Sequence, residues 1–205
     1  MHYAATLFFD VGGVILTNGW DEAARTRAAA HFHLDDEFPL RHRALQRELE
    51  TAGISLDGYL ERVVFDRPRA FTLEDFRAFI FEQSQVLPGS LDFVRALAED
   101  GRYRLFTLNN ESAELNDYRI QRFRLDEIFD GFLSSCYLRA AKPELEIYRA
   151  ALAISRPAAG QAFFIDDRAE NVESAKALGF QAVHFRDVNQ LRQDLSRFGV
   201  STAVS

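Results

Sequence analysis

The chain has 205 residues, of which 47% are hydrophobic and 27% are charged, and its formal net charge is −7. This composition predicts one packed domain, or a core with a smaller insert, and excludes a mainly disordered chain. The acidic balance disfavours a nucleic-acid-binding protein, because such proteins gain affinity largely from cations that neutralise phosphates.

The first predicted element is a buried strand at 5–11, ATLFFDV, which carries a carboxylate, Asp10, near its end. A pair of glycines, Gly12 and Gly13, follows directly. Glycines allow a tight turn, and they let backbone N–H groups approach a ligand such as phosphate closely.

Residues 17–88 contain helical patterns and no convincing strand. These patterns lie at 20–32, 38–53, 55–65 and 72–85. Thr72 and Asp75 have the spacing of a capping box that opens the last helix. The basic run RHRALQR at 41–47 is interpreted as a solvated helix face. We predict a helical domain at 17–88, inserted into a core that is formed by 1–16 and 89–205.

Strands and helices alternate in the remainder of the chain. Buried strands are predicted at 103–109, 131–135, 162–166 and 181–185. Ser90 is predicted to cap a helix that ends at Gly101, and Pro143 lies near the first turn of another helix. Short apolar strands separated by helices predict an α/β fold with a doubly wound parallel sheet.

Polar side chains follow the predicted strands, at the sheet edge where ligands bind in open α/β folds. They are Asp10, Asn109, Asn110, Lys142, Asp166 and Asp167. Clustered carboxylates repel one another unless a cation binds, and their oxygen atoms suit Mg²⁺. A lysine beside a divalent cation makes a site for a dianion such as phosphate. Asp10 can then attack phosphorus as a carboxylate nucleophile.

Location and partners follow from what the chain lacks. Cys136 is its only cysteine, so it forms no intramolecular disulfide and no multi-cysteine metal site. The N-terminal stretch lacks the basic start of a signal peptide, and no run approaches the roughly 18 apolar residues of a membrane span. We expect a cytoplasmic protein with a small phosphorylated substrate and with no nucleic-acid or membrane partner. The pattern predicts no particular oligomeric state.

The order of these motifs resembles that of the haloacid dehalogenase-like (HAD) superfamily, over nearly the whole chain. Its helical-cap branch, C1, is matched by KPELEIY (142–148), FFIDDRAENV (163–172) and AKALGF (175–180). The resemblance implies hydrolase activity, a Rossmann-like core, and a cap at 17–88 that closes over the substrate.

The resemblance also implies roles for individual residues. Asp10 would be the nucleophile, and Lys142 would hold both the nucleophile and the phosphate. Mg²⁺ would be bound by Asp10, the carbonyl of Gly12 and Asp167, with Asp166 behind them. Phosphate would be bound by Gly12, Gly13, Asn109 and Asn110. Trp20, where the cap begins, would pack between cap and core or stack on the substrate.

Two positions depart from the family pattern. The family's phosphatases have a second aspartate, the general acid, where this chain has Gly12, and they have Ser or Thr where it has Asn109. The Asn109 amide can still donate a hydrogen bond to phosphate. Loss of a general acid is serious, because general-acid catalysis typically contributes about 10²–10⁴ in rate.

Three hypotheses accommodate Gly12. The protein is a phosphatase whose leaving group needs little protonation, such as a sugar 1-phosphate, and it resembles a sugar-phosphate phosphatase subgroup that has Asp-x-Gly-Asn at this place. Alternatively, it binds a phosphorylated ligand or partner and turns over poorly or not at all. The third hypothesis, a 2-haloacid dehalogenase, is disfavoured by the pair Asp166-Asp167, since that branch uses no metal.

Overall fold

The central layer of the protein is a five-stranded parallel sheet. A computed structural model describes residues 3–158 and 160–201. The strands are, in chain order, β1 (Ala5–Phe9), β2 (Tyr103–Thr107), β3 (Gly131–Phe132), β4 (Ala162–Asp166) and β5 (Gln181–His184). Their order across the sheet is β3-β2-β1-β4-β5, and all pairs are parallel. The predicted α/β fold with a doubly wound sheet is confirmed.

Helices cover both faces of this sheet and form a separate group after β1. Within the described residues they are α1 (Glu22–His31), α2 (Phe38–Glu50), α3 (Leu56–Val63), α4 (Leu73–Glu82), α5 (Ser90–Asp100), α6 (Ala113–Phe123), α7 (Ser135–Leu138), α8 (Leu145–Ser155), α9 (Ala169–Ala177) and α10 (Val188–Arg197). No helix in the described part of the chain is long and apolar enough to cross a membrane.

The apolar run of β1 is explained by burial on both sides of the sheet. Leu7 and Phe9 belong to the hydrophobic cluster on one face. Phe8 points to the other face, where its ring lies 5.7 Å from that of Phe106 and 5.4 Å from that of Phe180. Because successive strand residues alternate between faces, a strand covered on both sides needs apolar residues throughout.

The helices α1 to α4, which we call the helical insert, have a hydrophobic cluster of their own that includes Tyr59 and Phe76. The two segments that connect the insert to the sheet run side by side, since Thr17 N donates to Gln85 O at 2.8 Å. The predicted capping box at the start of α4 is confirmed. Thr72 accepts from the backbone of Asp75, and the Asp75 carboxylate accepts from that of Thr72.

Two predictions of local structure were wrong. Ser90 does not cap α5. It is the first helical residue, because its N–H already bonds to Leu87 O across a turn at Gly89. Its hydroxyl has no hydrogen-bond partner among the described residues. Four strands end one to three residues earlier than predicted, at Phe9, Thr107, Phe132 and His184, and the difference is largest for the third. Leu133 still donates to the neighbouring strand, but the chain then turns into α7.

Candidate active site

Three acidic side chains and one lysine meet at the carboxyl edge of the sheet. Lys142 Nζ lies 3.0 Å from Asp10 Oδ2 and 2.6 Å from Asp166 Oδ2. Carboxylate oxygens of Asp10, Asp166 and Asp167 all lie within 4.8 Å of one another. Asp10 follows β1 and Asp166 ends β4, and these strands are neighbours in the sheet. The pairing of two strands distant in sequence therefore builds this cluster.

Asp166 is the most firmly held member of the cluster. In addition to Lys142, it accepts N–H groups from Asn171 at 3.0 and 3.1 Å and from the backbone of Arg168 at 2.8 Å. Its side chain is fully buried. The oxygens of Asp166 are therefore committed to donors within the protein, and its orientation is fixed.

Burial and mutual repulsion shift the pKa values of the cluster. Burial raises the pKa of Asp10 to about 7; Lys142 opposes this, and Asp166 and Asp167 add to it. Burial and then Asp166 raise the pKa of Asp167, against the effect of Lys142. For Lys142, burial works to lower the pKa, but Asp10 and Asp166 outweigh it and the pKa is raised. Lys142 is thus a cation close to three carboxylates, and its single charge cannot neutralise all of them.

The two glycines make room for different neighbours. Gly13 has a φ of +79°, and a Cβ there would overlap the carboxylate of Asp167. Gly13 is therefore required both by its backbone conformation and by the close approach of Asp167. A Cβ on Gly12 would lie 2.5 Å from Asn18 Oδ1. The Asn18 amide thus occupies the space in which a larger side chain at Gly12 would begin.

Asn109 and Asn110, which were both predicted to bind phosphate, make different contacts in the structure. Asn110 donates to Lys142 O at 2.9 Å and accepts from Lys142 N at 2.8 Å, which fixes the backbone that carries the lysine. Asn109 is turned inward instead. Its amide, 1% exposed, donates to Asn116 at 3.1 Å and accepts from Ser134 at 2.8 Å. The phosphate contact expected of the Asn109 side chain is therefore not available in this conformation.

A cavity of about 470 Å³ opens between the sheet edge and the helical insert. Its wall on the sheet side includes Asp10, Gly12, Asn110, Glu111, Lys142, Arg168 and Asn171. Its wall on the insert side includes Trp20, Arg25, His42, Gln46 and Glu50. The larger apolar side chains in the lining are Trp20, Leu49 and Pro143, so the cavity is mainly polar.

Trp20 packs within the helical insert, and part of it lines the cavity. Its ring meets those of Phe38 and Phe76 edge to face, with centroids 6.3 and 5.8 Å apart. Its Nε1 donates to the hydroxyl of Tyr59 at 3.0 Å, and this hydroxyl lies 2.8 Å from Nδ1 of His42. A chain of three side chains thus joins the interior of the insert to the cavity wall.

Arg119 ties the sheet side of the cavity to the helical insert. This buried side chain of α6 donates to Glu111 Oε2, to Ser84 Oγ and to Thr17 O, each at 3.0 Å. Thr17 and Ser84 lie in the two segments that connect the insert to the sheet. Arg119 therefore holds in place the carboxylate of Glu111, which lines the cavity, and both segments that connect the insert to the sheet.

Sequence reasoning missed four of these residues. His42 lies inside the basic run that was interpreted as solvated, but it is buried. The spacing of Phe38, His42, Leu45 and Leu49 places His42 on the apolar face of α2, so helical periodicity carried the signal. Asn18, Glu111 and Arg119 gave no such signal, because their roles depend on contacts between distant segments.

Comparison with known proteins agrees with this geometry. The model of the haloacid dehalogenase-like hydrolases matches residues 4–179. The D-ribitol-5-phosphate phosphatase of Bacteroides thetaiotaomicron is 24% identical over 202 residues, which are 93% of this chain and 96% of the relative. Flavin mononucleotide hydrolase 1 of Arabidopsis thaliana is 26% identical over 152 residues, 74% of this chain and 61% of that protein.

A sesquiterpene phosphatase of Aspergillus oryzae is 30% identical over 94 residues, 46% of this chain and 47% of that protein. The chain thus spans about half of this relative and about three fifths of the flavin mononucleotide hydrolase.

Solved structures show the same fold. A HAD-like hydrolase from Porphyromonas gingivalis superposes with a TM-score of 0.78 at 20% identity, covering 97% of this chain and 98% of the other. A HAD family enzyme from Bacteroides thetaiotaomicron, in complex with magnesium and inorganic phosphate, gives 0.76 at 19% identity, covering 91% and 98%. Because the family model spans most of the chain, the protein belongs to the haloacid dehalogenase-like hydrolase family.

Proposed function

We propose that this protein is a Mg²⁺-dependent phosphatase that hydrolyses a small hydroxylated phosphate monoester through an aspartyl-phosphate at Asp10. The observation that carries this proposal is the buried ammonium group of Lys142, which bridges Asp10 and Asp166. A cation held against a carboxylate nucleophile offsets the charge of an incoming dianion. Membership of a hydrolase family and three phosphatase-type relatives support the same reaction.

We also propose a division of labour along the chain. Residues 1–16 and 89–205 form the core that carries the reacting groups, and 17–88 form a cap that selects the substrate. The separate hydrophobic cluster of the helical insert supports this division, since a cap that keeps its own shape can close as a unit.

In the first step, a carboxylate oxygen of Asp10 forms a bond to phosphorus while the bond to the leaving oxygen breaks. The Val11 N–H donates to Asp10 Oδ1 at 2.8 Å, and Lys142 lies against Oδ2, so that the carboxylate is held ready for attack. In the second step, water attacks phosphorus and gives up a proton to solvent, the bond between phosphorus and the Asp10 oxygen breaks, inorganic phosphate leaves, and Asp10 is again a carboxylate. Lys142 offsets negative charge in both steps.

The residues present fit a magnesium ion. Three carboxylates with oxygens within 4.8 Å of one another supply the hard ligands that Mg²⁺ prefers. We assign Asp10, Asp167 and the Gly12 carbonyl as ligands, with Asp166 behind them because its oxygens already accept from Lys142 and other donors. When bound, Mg²⁺ supplies charge neutralisation for the transferring phosphoryl group.

The polar cavity favours a hydroxylated leaving group. Arg25, Gln46 and Glu50 offer hydrogen-bonding groups to it, whereas a terpene chain would need an apolar wall. The relative that covers nearly the whole chain acts on a polyol phosphate. A sugar or polyol phosphate therefore suits this cavity better than a sesquiterpenyl phosphate. The leaving oxygen of a sugar 1-phosphate needs little protonation, so such a substrate would depend less on the general acid that is absent at Gly12.

The test is release of inorganic phosphate, with and without Mg²⁺, from ribitol 5-phosphate, glucose 1-phosphate, flavin mononucleotide and farnesyl phosphate. Asp10→Asn provides the blank. We expect turnover that requires both Mg²⁺ and Asp10 and that is fastest for the sugar or polyol esters. Fastest turnover of farnesyl phosphate would contradict the assigned substrate class. Absence of turnover by folded protein, with phosphate esters still bound, would favour the ligand-binding hypothesis instead.

A further inference from the structure

One buried side chain that lines the cavity has a polar atom without a hydrogen bond to any described residue. His42, on α2, lines the cavity although only 3% of its surface is exposed. Its Nδ1 lies 2.8 Å from the hydroxyl of Tyr59, but its Nε2 makes no hydrogen bond within the part of the chain that the structure describes. A buried polar atom without a partner is costly, and such atoms are rare in native proteins. No described residue hydrogen-bonds Nε2 with normal geometry, so a substrate oxygen and the neighbouring Gln46 side chain are the candidates for that bond.

The contacts of Tyr59 determine which nitrogen of His42 carries the proton. The indole N–H of Trp20 can only donate, so the Tyr59 oxygen accepts from it. Tyr59 is fully buried, and burial raises its pKa, so the hydroxyl keeps its own hydrogen. His42 Nδ1 is the acceptor in reach of that hydrogen. With Nδ1 as the acceptor, a neutral His42 carries its proton on Nε2.

The surroundings of His42 keep the ring neutral. Burial, followed by the charges of Arg25 and Arg43, lowers its pKa to about 4, while Gln46, one turn further along α2, works in the opposite direction. The ring is thus a neutral donor near neutral pH. It adds no charge to a cavity that already contains Arg25 and Lys142.

We propose that the Nε2–H of His42 recognises an oxygen atom on the leaving group of the substrate, so that this protein selects leaving groups with a hydroxyl in the part of the cavity next to the helical insert. This inference rests on the proposed phosphatase function and names a residue that sets its specificity. Trp20 and Tyr59 are positioning residues, because they act on the substrate only through His42. A site that hydrogen-bonds a hydroxyl discriminates against an analogue that lacks it.

Two variants test whether loss of the Nε2–H donor of His42, and not a disturbance of the fold, changes specificity. In His42→Asn, the shorter amide can still meet Tyr59 but reaches only about as far as Nδ1 did. In His42→Gln, the longer amide keeps an N–H near the former position of Nε2. The matched control is His31→Phe, at an insert histidine whose ring contacts Phe32 and Phe79 and does not line the cavity.

The substrates are ribitol 5-phosphate and n-pentyl phosphate, which share a chain length and differ in their hydroxyls. We expect His42→Asn to lower kcat/KM for ribitol 5-phosphate by about 3–10-fold relative to that for pentyl phosphate, as loss of one hydrogen bond implies. His42→Gln should restore most of this preference, and His31→Phe should leave it unchanged. Equal loss on both substrates, or no loss on either, would overturn the proposal.

A second measurement does not depend on turnover. Nitrogen-15 NMR of histidine-labelled protein distinguishes Nε2–H from Nδ1–H, and His42→Gln identifies the signal of His42. We expect the Nε2–H form in the wild type and a mixture in Tyr59→Phe. Addition of ribitol 5-phosphate to Mg²⁺-loaded Asp10→Asn protein should shift this signal, and pentyl phosphate should shift it less.

These measurements distinguish the two proposals. An Nδ1–H form in the wild type, or equal shifts with both esters, would overturn the role of His42 even if phosphate is released normally. Absence of phosphate release from every ester would count against the phosphatase alone, because the NMR experiment uses protein that does not turn over.

Discussion

The two walls of the cavity differ in how they present polar groups. The sheet wall concentrates charge, with three carboxylates around Lys142 and a pKa of about 7 for Asp10. In addition to Arg25 and Glu50, the insert wall presents a neutral chain of hydrogen bonds that runs through Tyr59 to His42. In the proposed reaction, the charged groups act on the phosphoryl group, which every substrate shares, whereas the proposed donor of His42 acts on the leaving group. Removal of a charged group from the sheet wall should therefore affect all substrates equally, and loss of the His42 donor from the insert wall should be selective.

The largest effect is expected from Lys142→Met, which removes the cation between Asp10 and Asp166. We expect kcat/KM to fall by roughly 10²–10³-fold, as when one stabilising donor is removed from a preorganised site. The fall should be the same for ribitol 5-phosphate and pentyl phosphate, and steady-state kinetics with both esters would measure it. A loss confined to one ester would break the distinction between the walls.

The sheet wall was largely predictable from sequence, and the reason is topological. Asp10 and Asp166 each come at the end of an apolar strand, and parallel strands bring their carboxyl ends to one edge. Neither prediction required knowledge of side-chain conformation. Lys142 was placed by its position at a helix start, and the structure brings all three together.

The insert wall was not predictable to the same degree. On the sheet side, the orientation of Asn109 was also not predictable, because it depends on Asn116 and Ser134, which come from other elements. The role of His42 depends on Tyr59, a contact between two helices whose relative position no local pattern specifies. Local sequence periodicity gives the buried face of a helix, but not the partner that covers it.

The next effect concerns Gly12, where the sheet wall lacks an acid. We expect Gly12→Asp alone to lower kcat/KM by about 10-fold, since the new side chain would collide with Asn18 Oδ1 and overpacking costs about 1–3 kcal/mol. Gly12→Asp combined with Asn18→Gly should recover activity and exceed the wild type on pentyl phosphate, whose alkoxide most needs a proton. Kinetics of the single and double variants on pentyl phosphate and glucose 1-phosphate would measure both effects.

The matched control is Asn18→Gly by itself, which makes space but adds no acid. If this variant gained as much on pentyl phosphate as the double variant, the space and not the carboxyl group would explain the gain. A fully active Gly12→Asp would contradict the steric role of Asn18.

A smaller effect links Mg²⁺ binding to pH. The pKa of Asp10 is raised from 3.8 to about 7. The protonated Asp10 side chain therefore stabilises the metal-free protein fully below about pH 3.8, and this stabilisation is lost as the pH rises through about 7. Mg²⁺ requires the carboxylate, and its binding therefore releases this proton. We expect the Kd for Mg²⁺ to fall about fivefold between pH 6 and pH 7, about tenfold in all between pH 6 and pH 8, and to level off above pH 8. Calorimetric titration would measure it.

Asp10→Asn and Gly13→Ala are the controls for this titration. The amide has no proton to lose, so Asp10→Asn should show a weaker dependence on pH. Gly13→Ala should weaken binding at every pH, because the new methyl group displaces the carboxylate of Asp167. A Kd that does not change between pH 6 and pH 8 would contradict the assignment of Asp10 as a ligand.

The smallest effect is expected at the surface, where Arg47 of α2 pairs with Glu144, the residue before α8. This pair joins the helical insert to the core, but the side chains are 60% and 41% exposed, and exposed ion pairs contribute about 0–1 kcal/mol. Arg47→Ala should therefore change kcat/KM by less than about 5-fold, equally for ribitol and pentyl phosphates, and less at high salt. His42→Asn should be selective and independent of salt. If Arg47→Ala proved selective between the two esters, closure of the insert, and not the donor of His42, would decide which leaving group is accepted.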